Sequence, residues 1–209
     1  GLYRVFEPEI KAKTMIPDPL AYGSEMIIQT TDGSWHSTKS TLQPLGNSQW
    51  RKTLEPLNVT GDIIDRTERV LSTTDGLWML DEARQKWNTK DQTYEDDPTM
   101  RQKVSVAPSQ SLIASTTVLL GKDRGVVLDY SSNSEPSNHA PYYRYKWTVD
   151  ERIKDFKGWS KWHRVGLSTI FVQETDGSLS ILDGDQYSGA YKTAISTDIA
   201  IDWNKTTKI

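Results

Sequence analysis

The sequence predicts an all-β, β-propeller-like chain of about four hairpin-based blades, complete in itself or part of a larger propeller. Three observations predict it. First, one phrase recurs: residues 26–35 read Met-Ile-Ile-Gln-Thr-Thr-Asp-Gly-Ser-Trp, residues 70–80 Val-Leu-Ser-Thr-Thr-Asp-Gly-Leu-Trp-Met-Leu, and residues 170–182 Ile-Phe-Val-Gln-Glu-Thr-Asp-Gly-Ser-Leu-Ser-Ile-Leu. Second, each copy sets Asp-Gly between two apolar runs, the signature of a hairpin whose type I′ turn needs positive φ at both central residues. Third, with a weaker copy at 117–128, the turn glycines Gly33, Gly76, Gly125 and Gly177 fall 43, 49 and 52 residues apart, the period of a propeller blade.

In chain order, residues 1–20 form an extended N-terminal arm, because Pro17 and Pro19 exclude both helix and central strand. The repeats then occupy 21–193. In the first, a polar stretch 37–43 follows the hairpin, and 49–54 reads as a further strand. In the second, Ile63 and Ile64 precede the hairpin, Asp81 to Gln85 reads as one helical turn, and Lys86-Trp87-Asn88 ends a short strand. A loop from Thr89 to Thr99 carries Glu95-Asp96-Asp97-Pro98, a cation site on one reading and a solvated connection on the plainer one. The third unit starts near Lys103 and includes 111–120 and 125–130, then a Ser/Asn/Pro-rich loop and an aromatic alternation over 142–149. The last unit runs from Phe156 through its hairpin to a loop at 183–189. Residues 194–209 read as the start of a following β-element. The opening Gly-Leu-Tyr, without Met, reads as a processed product or a piece of something longer.

Composition narrows the function classes. The 209 residues carry a net charge of −3 with mixed signs, so no whole-chain field points to nucleic acid or an anionic membrane. The absence of cysteine removes disulfides, thiolate metal sites and cysteine nucleophiles together. No apolar stretch approaches the ~18 residues that span a bilayer. His36, His139 and His163 have no metal-ligand spacing, and neither nucleophile-elbow nor phosphate-loop motifs occur. The repeated Thr-Asp-Gly does not match the sialidase Asp-box, which places a residue between Asp and Gly. Asp183-Gly184-Asp185 lacks the remaining ligands of a calcium loop and reads as a turn. Two triplets, at Asn58 and Asn204, fit the glycosylation acceptor pattern. No catalytic residue, metal site or cofactor is expected.

The stretch 152–164 interleaves Arg152, Lys154, Lys157, Lys161 and Arg164 with Phe156, Trp159 and Trp162. Such a surface suits a phosphate backbone or a partner protein. The plainer reading is an edge strand whose lysines discourage stray pairing while Trp159 and Trp162 pack inward. Trp35 and Trp78, each two residues after a turn glycine, are further stacking candidates for a sugar ring, or core residues of a blade.

The same residues carry a family likeness. Gly158-Trp159-Ser160-Lys161-Trp162, the hairpin at Asp176-Gly177 and the segment Ile181-Leu182-Asp183 resemble the tail nozzle proteins of short-tailed bacteriophages and the related tail-hub, DNA-stabilisation proteins. The likeness covers about residues 145–203 and extends loosely back to residue 21. It implies a structural virion protein, not an enzyme: copies assemble into a tail ring that retains the genome and passes it at ejection. The implied partners are other copies of the chain, neighbouring tail or connector proteins, and phage DNA bound without sequence specificity, with Lys154, Lys157 and Lys161 facing DNA or a neighbour. A carbohydrate- or receptor-binding propeller, extracellular rather than in the virion, is the alternative.

Overall fold

A computed structural model describes residues 11–21, 25–46, 49–104, 112–114, 118–122, 125–129, 142–143, 146–148, 153, 155–165, 169–185 and 189–195. Apart from 3₁₀ structure at Pro19–Ala21 and at Ile153, the regular structure among them is β-strand. The first sheet joins β1 (Ala12–Pro17), β2 (Met26–Thr30), β3 (Trp35–Gly46) and β4 (Gln49–Pro56) in chain order. The second joins β5 (Ile63–Arg66), β6 (Val70–Thr73), β7 (Gly76–Asn88) and β8 (Thr93–Val104) in the same way. The third contains β9 (Ile113–Ala114), β10 (Val118–Leu120), β11 (Gly125–Asp129) and, after a detour, β13 (Lys146–Thr148). The detour is β12 (Tyr142–Tyr143), which pairs with the outer half of β7 in the second sheet. The fourth is β14 (Trp159–Val165), β15 (Thr169–Glu174), β16 (Leu179–Asp185) and β17 (Gly189–Ile195). Among the described residues, all pairings are antiparallel and no sheet closes on itself.

The hairpins fall where the repeats place them, with different turn chemistry. Asp32-Gly33 and Asp176-Gly177 sit in three-residue loops: Gly33 and Gly177 donate to Thr30 and Glu174, and Thr30 and Glu174 donate to Ser34 and Ser178. Only the glycines have positive φ, 90° and 88°, so the loops are a type I turn closed by a left-handed glycine rather than type I′. The following serine fixes this choice. Asp32 Oδ1 accepts from the Ser34 N–H at 3.0 Å and its hydroxyl at 2.6 Å, and Asp176 does the same with Ser178 at 3.0 and 2.6 Å. In the second copy Leu77 replaces the serine, and Thr73 pairs directly with Gly76 across Thr74-Asp75.

Several local expectations change. Pro17 ends β1, the outermost strand of the first sheet, so this part of the arm pairs with the repeats. Asp81 to Gln85 is strand, because β7 runs through it to Asn88. The acidic stretch 93–99 lies in β8, leaving 89–92 as the turn. Asp183 to Asp185 continues β16, pairing with β17, which itself ends at Ile195; residues 196–209 lie outside the described residues.

Among the described residues, two apolar cores form, each between sheets adjacent in the chain. Ile16, Ile27 and Trp35 of the first sheet meet Leu57, Val59, Leu71, Trp78 and Leu80 on the connection and second sheet. Ile113 and Leu120 of the third meet Ile153, Phe156, Ile170, Val172 and Leu182 at the fourth. Burial of each large side chain stabilises the fold by about 1.5–3 kcal/mol.

Polar contacts bind the first two sheets. Asp18, 2% exposed, accepts from Arg101, 0% exposed, at 2.6 Å, and also from the Leu20 N–H and the Ser37 hydroxyl. Around the same arginine, Asn58 exchanges two hydrogen bonds with the Arg101 backbone, at 2.6 and 2.7 Å, and the Tyr143 hydroxyl donates to the Arg101 carbonyl at 2.9 Å. Burial pushes the guanidinium below its ordinary value, and Asp18 acts against that shift. Asn58 is thereby committed internally, its amide nitrogen occupied in the fold rather than presented for a glycan.

Candidate functional site

The sequence singles out the strand that opens the fourth sheet. Phe156 is buried in the core beneath it, and Gly158, at φ 83°, turns the chain into β14. The approach is held by the neighbouring hairpin. Glu174, 1% exposed, accepts from the Lys157 N–H at 2.9 Å and the Ser180 hydroxyl at 2.7 Å. The Lys157 ammonium donates to Asp176 at 2.9 Å. Hydrogen bonds from Ser178 and then from Lys157 hold the Asp176 carboxyl well below the usual carboxylate range, and Asp176 raises the Lys157 ammonium in return.

A bulge between Trp159 and Lys161 then reorients the strand. Trp159 packs half-buried against the core, whereas Trp162 is 42% exposed. From Lys161 to Val165 the pairing with β15 is unbroken, Lys161 opposite Gln173 and Val165 opposite Thr169. Among the described residues, the other side of this run is a sheet edge. Lys161 is exposed, Arg164 is half-buried, and Arg152 and Lys154 lie outside the described residues. Of the described basic candidates, Lys161 is exposed at the edge, Arg164 lies half-buried on the same strand, and Lys157 is engaged within the chain.

The two remaining aromatic candidates are core residues. Trp35 is 1% exposed and its indole N–H donates to the Gly61 carbonyl at 2.9 Å. Trp78 is 4% exposed, donates to the Thr73 hydroxyl at 3.1 Å and lies under the Lys103 ammonium, 5.3 Å from its ring centroid. Neither offers a face to a sugar. Their placement is the packing alternative, set by the alternation of the strand that follows each turn.

Two features were missed by sequence reasoning. Among the described residues, the large exposed apolar side chains are Met15, Ile64 and Trp162, and each sits on the first strand of its sheet, β1, β5 and β14, at an edge. The second is the ribbon made by the outer halves of β7 and β8. Arg84 pairs with Asp97, Gln85 with Asp96, Lys86 with Glu95 and Trp87 with Tyr94. The aromatic pair meets edge-on at 5.1 Å, Lys86 reaches Glu95 at 3.5 Å and Gln85 donates to Asp96 at 2.8 Å. Read in reverse, 97–93 is the sign complement of 84–88, and that signal could have found the ribbon.

Among the described residues, no group of three or more His, Cys, Asp or Glu side chains is placed to hold a metal ion. No described helix is long and apolar enough to cross a membrane. Comparison with known protein families, curated proteins and solved structures finds no match. What the geometry defines is an all-β protein whose described residues form four antiparallel sheets with exposed apolar side chains on their edge strands.

Proposed function

We propose that this chain is a structural virion protein of a short phage tail, its four sheets acting as the blades of a propeller-like unit and its copies joining into a ring that retains the genome and passes it at ejection. The observation that carries this reading is the placement of Met15, Ile64 and Trp162 on sheet-edge strands. An open edge with an exposed apolar side chain is a site for another chain, since its unpaired backbone groups and its apolar surface are both satisfied by the same contact. The residue likeness over 145–203 supports the same class, as does the order of the sheets along the chain, with each core built between neighbours. The work is assembly and gating, without bond chemistry. The sugar-binding alternative is weakened by the burial of Trp35 and Trp78.

The test is the mass of the purified chain in solution, alone and with the other proteins of its source particle. A stable ring, or incorporation into the particle, is expected. A monomer at every concentration that ignores those proteins sinks the reading.

A further inference from the structure

Two strand edges of this chain match each other in length and oppose each other in charge. One is β14, whose unbulged run Lys161–Val165 is bonded to β15 on one side and, among the described residues, ends its sheet on the other. The second is the outer half of β8, whose unbulged run Thr93–Asp97 is bonded to β7 and, among the described residues, likewise ends its sheet. Each run is five residues long. Pro98, which has no N–H to donate, ends the second run. The bulge after Trp159 bounds the first.

We propose that these two edges are partners: β14 of one copy adds to β8 of the next, extending a sheet across the boundary between subunits. The proposal rests on the ring reading above and names the surface by which the ring forms. Charge decides the pairing. Acids occupy three consecutive positions, Glu95, Asp96 and Asp97, so they project from both faces of β8. Lys161 and Arg164 are three apart and so project from opposite faces of β14. With the two five-residue runs in full register, Lys161 stands opposite Asp97 when the strands are antiparallel and Arg164 opposite Asp96 when they are parallel. In each case the other base has an acid one step along its own face, Asp96 or Glu95. Pairing β14 with another β14 would offer neither base an acid, and pairing β8 with another β8 in antiparallel register would set Glu95 against Glu95. Trp162, 42% exposed, supplies the apolar anchor. The neighbouring lysine that discourages stray apolar strands selects an acidic one.

The contact is head-to-tail, because each copy carries one edge of each kind, so it propagates into a ring or a filament. The fourth-sheet edge is thereby assigned to a neighbouring copy rather than to duplex DNA.

The experiment uses the full chain, the Lys161→Glu variant and the Glu95→Lys/Asp96→Lys variant, with sedimentation velocity over a concentration series. All three changed side chains are exposed, and unchanged far-UV dichroism and melting temperature confirm that the variants fold. The wild type is expected to assemble, less so as salt rises. Either variant alone is expected to associate about tenfold or more weakly, as like charges face each other. Mixing the two variants should restore assembly, since each acidic edge then finds a basic one. Assembly by the wild type that neither variant weakens, or that mixing does not restore, overturns the pairing and leaves the ring reading standing. A wild type that stays monomeric at every concentration overturns both. Loss of duplex-DNA binding by Lys161→Glu with assembly unchanged reassigns that edge to the genome and also overturns the pairing.

Discussion

Gly61 illustrates how one residue can carry a junction. It has φ of 87°, and a Cβ there would stand 2.7 Å from the Thr74 hydroxyl and 2.8 Å from the Asp75 backbone nitrogen. Its carbonyl accepts from the Trp35 indole. The connection between the first two sheets thus lies directly on the second hairpin, where only glycine fits. Gly177 has a similar φ of 88° but open space around it. Gly177→Ala should therefore cost about 1–2 kcal/mol, the left-handed penalty alone. Gly61→Ala should cost clearly more, because the chain must also move away from Asp75. Urea denaturation of the two variants checks the order, and equal losses would show that the close approach is relaxed at no cost. Asp176 gives a prediction in pH. Its folded carboxyl is held below the ordinary value, so its contribution is present above about pH 3.9. That contribution fades as pH falls towards the lower folded value. Lys157 is raised by the same pair, so its contribution is intact below about pH 10.4 and fades as pH rises through the raised value. Comparing thermal melts of wild type and Asp176→Asn should show a gap at neutral pH that closes in acid. A gap that persists unchanged below pH 3 would assign it to the side-chain amide rather than to charge.

At the scale of elements, the sequence made some things plain and hid others for physical reasons. The hairpins were legible because an Asp-Gly turn is a local event, decided by backbone sterics and one carboxylate. Its subtype depended on the residue after the glycine, serine in two copies and leucine in the third, and the Asp-Gly pair alone does not reveal that. The acidic stretch 93–97 looked like a loop because charge runs usually solvate. It is a strand because Arg84, Lys86 and Trp87 on β7 stand opposite Asp97, Glu95 and Tyr94, a fact of pairing rather than of either segment alone. The aromatic alternation near 142 hid a change of sheet: Tyr142 and Tyr143 pair with β7, while Lys146 to Thr148 pair with β11. Within the candidate site, the edge strand and the inward Trp159 could be read from the lysine spacing. The exposure of Trp162 could not, since the bulge sets Trp159 opposite Glu174 and Trp162 opposite Val172, two positions on one face of β15. Only the cover over that face separates the half-buried ring from the exposed one. Trp35 and Trp78 were ambiguous for the opposite reason, because alternation gives two faces without saying which is covered.

For the whole molecule, the question is what makes serial sheets one body rather than four. Apolar cores join the first sheet to the second and the third to the fourth. Between the first two, the buried Asp18–Arg101 pair adds a polar lock spanning 83 residues of sequence. It brings together the turn after β1, the hydroxyl of Ser37 on β3, the connection at Asn58 and the tyrosine of β12. A buried pair of this kind gives little net stability over an apolar substitute, because desolvating two charges offsets much of their attraction. Its removal by halves is a different matter. Asp18→Ala strands a fully buried guanidinium and should cost about 3–5 kcal/mol. Asp18→Ala combined with Arg101→Met removes the stranded charge and should recover a substantial part of that loss. Urea midpoints of wild type, both single variants and the double variant form a thermodynamic cycle. A double variant more stable than Asp18→Ala alone is expected, since the two side chains are coupled only through each other's charge and the hydrogen bonds between them. A double variant that loses the full sum of the two single losses would mean that they act independently, with Arg101 held by its backbone partners at Asn58 and Tyr143 rather than by the carboxylate. The polar link between the sheets would then rest on the Asn58 connection, beside the apolar core in which Ile16 of β1 meets Leu71, Trp78 and Leu80.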